Sequence, residues 1–401
     1  MAALPIYLDH HATTPIDERV LAAMMPYFQE RFGNAASNAH EYGTVARDAA
    51  EEGRTRVAAL LGCKPEELVF TSGATESDNL AIVGAARATE GRGNHIVTVR
   101  TEHKAVIDTC EALKKHGWQV TFVDVDESGI VPVEAVASAI TKDTVLLSVM
   151  LANNEVGVLQ DIASIGTLAR ERDVLFHCDA AQGLGYLPFS VRDLNVDLVS
   201  LSAHKMYGPK GVGALYVRKA VQVRGVPVPQ MTGGGHERGF RSGTLNVAGI
   251  VGFGMAAQIM KEEGPAEATR IGRLRDALRD RLLDALDEVR LNGSADRRHP
   301  GNLNLSFGYL DGARLLLELC EHVAVSSGAA CSSAEPGPSY VLEAMGVPKD
   351  WAAASVRFGL GRSTTREEIA TVGDVVIDTV QRLRERSPLW KRKLAGKPVE
   401  W

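Results

Sequence analysis

No two cysteines in this sequence are close enough to form a CxxC pair, no apolar run is long enough to span a membrane, and no repeat or low-complexity block is present. The five cysteines, Cys63, Cys110, Cys178, Cys320 and Cys331, are scattered over 401 residues, which excludes a disulfide framework and a cysteine-rich zinc site. The paired His10-His11 has no carboxylate or cysteine cluster beside it, so no metal site is read there. The opening Met1-Ala-Ala-Leu-Pro-Ile-Tyr-Leu-Asp9 lacks the basic region and apolar stretch of a signal peptide. Nor is there an excess of one charge: 44 Lys and Arg against 50 Asp and Glu leave a net charge of −6, which disfavours nucleic-acid binding as the main role. The expectation is a cytoplasmic protein with neither nucleic acid nor membrane as partner. What is present is 45% hydrophobic and 23% charged, long enough for two domains with a core each.

From about residue 65 to 218, short β-branched runs alternate with helix-length segments. The strand-like runs are 67–70, 95–99, 119–123, 144–149, 174–177, 196–200 and 213–217, with helices expected at 75–89, 103–116 and 162–172. Near-continuous apolar strands separated by helices predict an α/β fold with a mainly parallel sheet covered on both faces. Ligands of such sheets bind where strand carboxyl ends lead into helices. Upstream, 17–31 carries Val20, Leu21, Met24, Met25 and Phe28 at helical spacing, with both methionines expected in the core. After about residue 262 the pattern changes to a charged helix, short strands, a strand at Ser355–Gly359 and a last helix at 365–385. This predicts a smaller α+β domain built from 1–15 and 262–401, beside a large domain of 16–261. The basic, Trp-containing stretch from Pro388 to Trp401 is expected to be an exposed tail.

The chemistry-bearing residues follow the strand-like runs. Asp179 lies beyond 174–177, and Lys205 beyond 196–200 within Ser202-Ala-His204-Lys205. A lysine packed at a strand end can be desolvated and become a nucleophilic amine, and an aspartate there can pair with a ligand cation. These are the two protein groups that pyridoxal phosphate needs, although alone one could be a helix cap and the other a solvated charge. Thr71-Ser-Gly-Ala74-Thr75 follows a strand and opens a helix, which suits a phosphate or a plain cap. Ser202 and His204 offer further phosphate donors. His103 could stack on a flat ring or exchange protons, and Asn154 offers an uncharged donor. Cys331 sits in Ser326-Ser-Gly-Ala-Ala-Cys-Ser-Ser333, where low side-chain bulk fits equally a filler residue in a surface turn and an exposed reactive thiol. The run Met231–Thr244, rich in glycine and charge, suggests backbone passing close to a ligand or a neighbouring subunit.

With TSGATESDNLA, TEHKAV, NNEVG, HCDAAQ, SAHKMYGPKG, GGGHERGFRSGT, SSGAACSS and SVRFGLGR in view, the chain resembles the NifS/IscS-like cysteine desulfurases of the class V aminotransferases, over nearly its whole length. The resemblance implies a type I pyridoxal-phosphate transferase fold. It implies that Lys205 carries the cofactor, Asp179 pairs with its ring nitrogen, His103 stacks on the ring, Gln182 meets the ring oxygen and Asn154 lies beside it. Ala74, Thr75, Ser202 and His204 would surround the phosphate, with Thr244 from the partner of a homodimer. Arg357 would clamp the carboxylate of L-cysteine, and Cys331 would take the sulfur as a persulfide in the long-loop subgroup. The terminal residues resemble a tail that docks an iron–sulfur scaffold. Two departures are Ala181, where some relatives have Thr, and Cys178, read as a small buried residue. Two other readings compete: a selenocysteine lyase or other class V aminotransferase, and a catalytically idle sulfur-carrier platform.

Overall fold

A computed structural model describes residues 4–327 and 339–398. Its strands in chain order are β1 (Ile6–Tyr7), β2 (Leu68–Thr71), β3 (His95–Val99), β4 (Gln119–Val123), β5 (Thr144–Ser148) and β6 (Leu175–Asp179). Then come β7 (Leu198–Ser202), β8 (Gly213–Val217), β9 (Val289–Leu291), β10 (Asn302–Phe307), β11 (Val323–Ala324) and β12 (Ser355–Gly359). Seven of them form one sheet in the order β2-β8-β7-β6-β5-β3-β4. Only β8 runs against its neighbours; the rest pair in parallel or, like β2, face β8 antiparallel.

Consecutive strand residues divide between two apolar layers because side chains alternate across a strand. Val97, Phe176 and Val199 face a core shared with the helices Glu41–Leu61 and Ile162–Glu171, while Ile96, Leu175 and Leu198 face the helices Ala74–Ala88 and Lys104–Lys114. Covered on both faces, the sheet has only its strand ends left for a ligand. β6 and β7 run two residues further than expected. Asp179 and Ser202 lie beyond the expected spans, yet both are buried in the strand conformation, and each is the last residue of its strand.

The remaining strands form a three-stranded antiparallel sheet, β12-β10-β9, and a parallel pair, β1-β11. Leu303, Leu305, Val356 and Phe358 pack there against the helices Gly312–Cys320 and Arg366–Arg386. The latter opens on a reciprocal Thr365–Glu368 cap. One helix, Val247–Ala285, serves both cores: Ile250, Phe253 and Met260 belong to the first, Ile271, Leu278 and Leu282 to the second.

Two expectations are corrected. The stretch 17–31 is two short helices, Glu18–Met24 and Pro26–Gln29, because Pro26 interrupts the amide ladder. Met24 is buried, but Met25 is half exposed together with Leu21 and Phe28, so Met25 is not core. Residues 388–398 are exposed or half-buried, as expected of a tail, and begin as a helix, Pro388–Leu394, whose Trp390 packs against Tyr309 and the cations of Arg384 and Lys393. No helix among the described residues is long and apolar enough to cross a membrane.

Candidate active site

The carboxyl ends of the sheet strands surround a cavity of about 630 Å³. Asp179 and Ser202 close β6 and β7, and Lys205 sits on the turn Ala203–Lys205 that follows. His103 caps the helix Lys104–Lys114, Asn154 lies on the turn after β5, and Gly73-Ala74-Thr75 opens the helix Ala74–Ala88. All of these line the cavity, as do Gln182 and His204. Sequence reading missed the floor. His11, Ala12 and Thr13 reach it from the chain's start, and only tertiary contact brings them there.

At one end the groups are buried and titratable. Asp179 is 4% exposed, and its Oδ1 accepts the Ala181 amide at 2.9 Å. Burial raises its pKa, while His103 and Lys205 pull it down, so a cation brought alongside would favour the carboxylate. The His103 ring accepts the Ala105 amide on Nδ1 at 3.1 Å, which puts the proton on Nε2. Burial lowers its pKa, against the pull of the Asp179 charge. Beneath lie two more buried acids, Asp78 and Glu102, raised well above the usual range first by burial and also by the Asp179 charge. His177, pushed down to about 3 by burial, hydrogen-bonds Ser148 Oγ and Ser200 Oγ at 2.9 Å each. Burial thus disfavours the charged forms of Asp78, Glu102 and His177 alike, and Asp179 is the acid of this group that lines the cavity.

At the other end neutral donors predominate, with the charged Lys210 and Glu76 also lining the cavity. The first amides of the helix Ala74–Ala88 and the hydroxyls of Thr75 and Ser202 face the cavity. Gly213 makes this turn possible, because a Cβ there would lie 2.6 Å from Gly73 Cα. Glu76 braces it, accepting the Ser72 amide at 2.7 Å and the Arg241 guanidinium at 2.7 Å. His204 is pushed down to about 4, first by burial and then by Lys205 and Lys210, so its ring is neutral. Its Nδ1 lies 3.1 Å from Thr13 Oγ1.

Between the two ends, Lys205 Nζ donates to the carbonyls of His11 and Ala12, the latter at 2.9 Å. Gln182 Nε2 donates to the same His11 carbonyl at 3.0 Å, and its Oε1 is 3.1 Å from His11 Nδ1. Asn154 Oδ1 is buried without a hydrogen-bond partner among the described residues. Arg357 does not line the cavity. It lies directly behind, on β12, with Nη1 donating to the Asn154 carbonyl at 2.9 Å and Nη2 to Asp9 Oδ1 at 2.7 Å. Thr244 is exposed and outside the cavity of a single chain. Cys331 lies outside the described residues. Cys178 is fully buried, and burial raises its thiol pKa well above the usual value.

Pyridoxal phosphate fits this donor set: an anion turn at a helix start, an amine at mid-cavity, and a buried carboxylate opposite. Ala74, Thr75, Ser202 and His204 could hold its phosphate, and Asp179, His103, Gln182 and Asn154 could surround its ring.

The comparisons agree. The aminotransferase class-V family model matches residues 6–372. A cysteine desulfurase IscS of Anaeromyxobacter sp. (strain Fw109-5) is 55% identical over 401 residues, covering 99% of this chain and 98% of that protein. Its counterpart in Neisseria meningitidis serogroup C (strain FAM18) is 49% identical over 400 residues, with the same coverages. Among solved structures, a NifS-like protein superposes with a TM-score of 0.87 at 37% identity, covering 95% of this chain and 100% of the other. SspA in complex with cysteine superposes with a TM-score of 0.79 at 36% identity, covering 88% and 98%. The chain belongs to the aminotransferase class-V family.

Proposed function

We propose that this chain is a pyridoxal-phosphate-dependent cysteine desulfurase, which takes sulfur from L-cysteine, releases L-alanine and carries the sulfur as a persulfide on Cys331. The observation that carries this reading is the meeting of Lys205, Asp179 and His103 in one cavity whose far end is an anion turn. The full-length likeness to proteins named cysteine desulfurase supports it.

When bound, the cofactor supplies an aldehyde that condenses with an amine and a cationic ring that stores the electron pair released at the substrate α-carbon. The protein's own part follows from the geometry. Lys205 would hold the aldehyde, and its Nζ would be the base for the substrate α-proton. Asp179 would favour a positive charge on the ring nitrogen, because a buried carboxylate gains most from a cation beside it. His103, whose Nδ1 accepts the Ala105 amide and whose proton therefore sits on Nε2, would hold or pass a proton beside the ring. Arg357 receives the substrate carboxylate in a forked geometry, in place of or beside Asp9. The Cys331 thiolate then attacks the substrate sulfur. An S–S bond forms as the C–S bond breaks, and the electron pair passes to the substrate carbon, which takes up a proton on the way to alanine.

In this reading residues 16–261 hold the cofactor, while 1–15 with 262–401 supply Arg357 and Cys331. The active form is a cytoplasmic homodimer. The exposed apolar face of Met25, Phe28 and Phe32 is the kind of surface a second copy would cover, and Thr244 is free to reach a neighbour's phosphate site. The sulfur acceptor is an iron–sulfur scaffold or a comparable protein. The test uses the purified holoenzyme. The wild type should absorb in the visible and release sulfide and alanine from L-cysteine. Lys205→Ala should lose that absorbance, and Cys331→Ser should keep it while releasing no sulfide. Wild-type sulfide release by Cys331→Ser would refute the persulfide route and favour another class V activity. An uncoloured protein unchanged by Lys205→Ala would favour the sulfur-carrier platform.

A further inference from the structure

Glu155 follows Asn154 on the turn beside the cavity and is buried at 1% exposure. Its carbonyl ties this turn to β10, accepting Asn302 Nδ2 at 3.2 Å and Asn304 Nδ2 at 3.1 Å, while its amide donates within the turn to Asn153 Oδ1 at 2.8 Å. The side chain has a separate task. Its Oε2 accepts a hydrogen bond from the hydroxyl of Ser339. Burial pushes this acid up to about 7, against the pull of Ser339 and Arg357. A buried carboxyl is a costly way to fill space, and an apolar residue would do that more cheaply.

Ser339 is where the described chain resumes after 328–338, the stretch that carries Cys331. It is 2% exposed, and its Oγ also accepts the Leu342 amide at 3.2 Å, capping the helix Tyr340–Ala344. On the other flank Ser326 is held on β12: its amide donates to the Arg357 carbonyl at 3.3 Å, and the Arg357 amide donates back at 2.7 Å. Arg357 in turn donates to the Asn154 carbonyl. Both flanks of the Cys331 stretch are therefore tied to one small group of residues, Arg357, Asn154 and Glu155, beside the substrate site.

From this arrangement we propose that Glu155 is a positioning residue for the sulfur step, holding the Ser339 flank of the Cys331 stretch against the turn that presents Asn154 to the cavity. The inference rests on the desulfurase reading above. Glu155 does not line the cavity. The steps before sulfur attack are therefore independent of its side chain, and the approach of Cys331 to the substrate sulfur is not.

The test follows two signals after L-cysteine is mixed with holoenzyme: the change in cofactor absorbance, and persulfide on Cys331 read by thiol labelling and mass spectrometry. In Ser339→Ala and in Glu155→Ala, persulfide formation should slow roughly tenfold, the scale of one lost hydrogen bond to a carboxylate, while the absorbance change stays within about twofold of wild type. Ser339→Thr, which keeps the hydroxyl, should restore the labelling rate. Wild-type labelling in Ser339→Ala would overturn the inference. So would a parallel fall in both signals, or failure of Ser339→Thr to rescue. A wild-type enzyme that changes absorbance but never labels Cys331 would instead refute the desulfurase reading, and the inference with it.

Discussion

The two ends of the cavity solve opposite problems with opposite materials. The end that suits a phosphate uses helix amides and the hydroxyls of Thr75 and Ser202, with a neutral His204 nearby. The end that suits a ring uses Asp179 above the buried acids Asp78 and Glu102. Amides and hydroxyls do not titrate, so anion recognition is spread over many small contributions that change little with pH. A desolvated carboxylate concentrates its effect in one group. The cavity is thus tolerant at one end and brittle at the other, and the brittleness lies where charge has to be held on the ring.

Three experiments probe that contrast. Asp179→Asn, which keeps the shape and removes the charge, should lower desulfurase turnover by about a hundredfold, the scale of losing one preorganised electrostatic partner. A fall no larger than that of Ser202→Ala would invert the comparison. Ser202→Ala should weaken cofactor retention by only about three- to tenfold, since one neutral hydrogen bond contributes modestly. Dialysis followed by absorbance readback measures this, and complete loss of cofactor would show that the tolerant end depends on a single group. The smallest effect concerns stability. His204 has a folded pKa of about 4 against an ordinary value of 6.5, so below pH 6.5 the unfolded chain takes up a proton that the folded chain refuses. The contribution is therefore lost as pH falls through 6.5 toward 4 and constant above. Melting temperatures of apoprotein His204→Gln across that range should fall less steeply than those of the wild type; equal slopes would count against a neutral His204.

Most of the frame was legible in the sequence because parallel strands buried on both faces leave long apolar runs. The spans 95–99, 119–123 and 213–217 match β3, β4 and β8 residue for residue. The strand ends were less legible, and for the same reason they matter. Asp179 and Ser202 fall outside the apolar runs, and only burial keeps them in the strand. His11 left no local signal, since its place depends on Lys205 and Gln182 far along the chain. Met25 read as core because an apolar stripe does not reveal how much of it the rest of the chain covers. The exposure of the segment after Pro388 was legible, but its Trp390 contact was not, because a cation–aromatic stack on Arg384 and Lys393 has no periodic signature.

The helix Val247–Ala285 has a consequence for how the molecule comes apart. Its first half is wedged in one core and its second half in the other, with no loop between them to act as a break point. Melting either core strips one face of a continuous helix, so the loss is transmitted to its neighbour along a shared backbone. Unfolding should therefore appear as a single cooperative transition, and a chain cut between Lys261 and Glu262 should give two aggregation-prone halves that recover solubility only when expressed together.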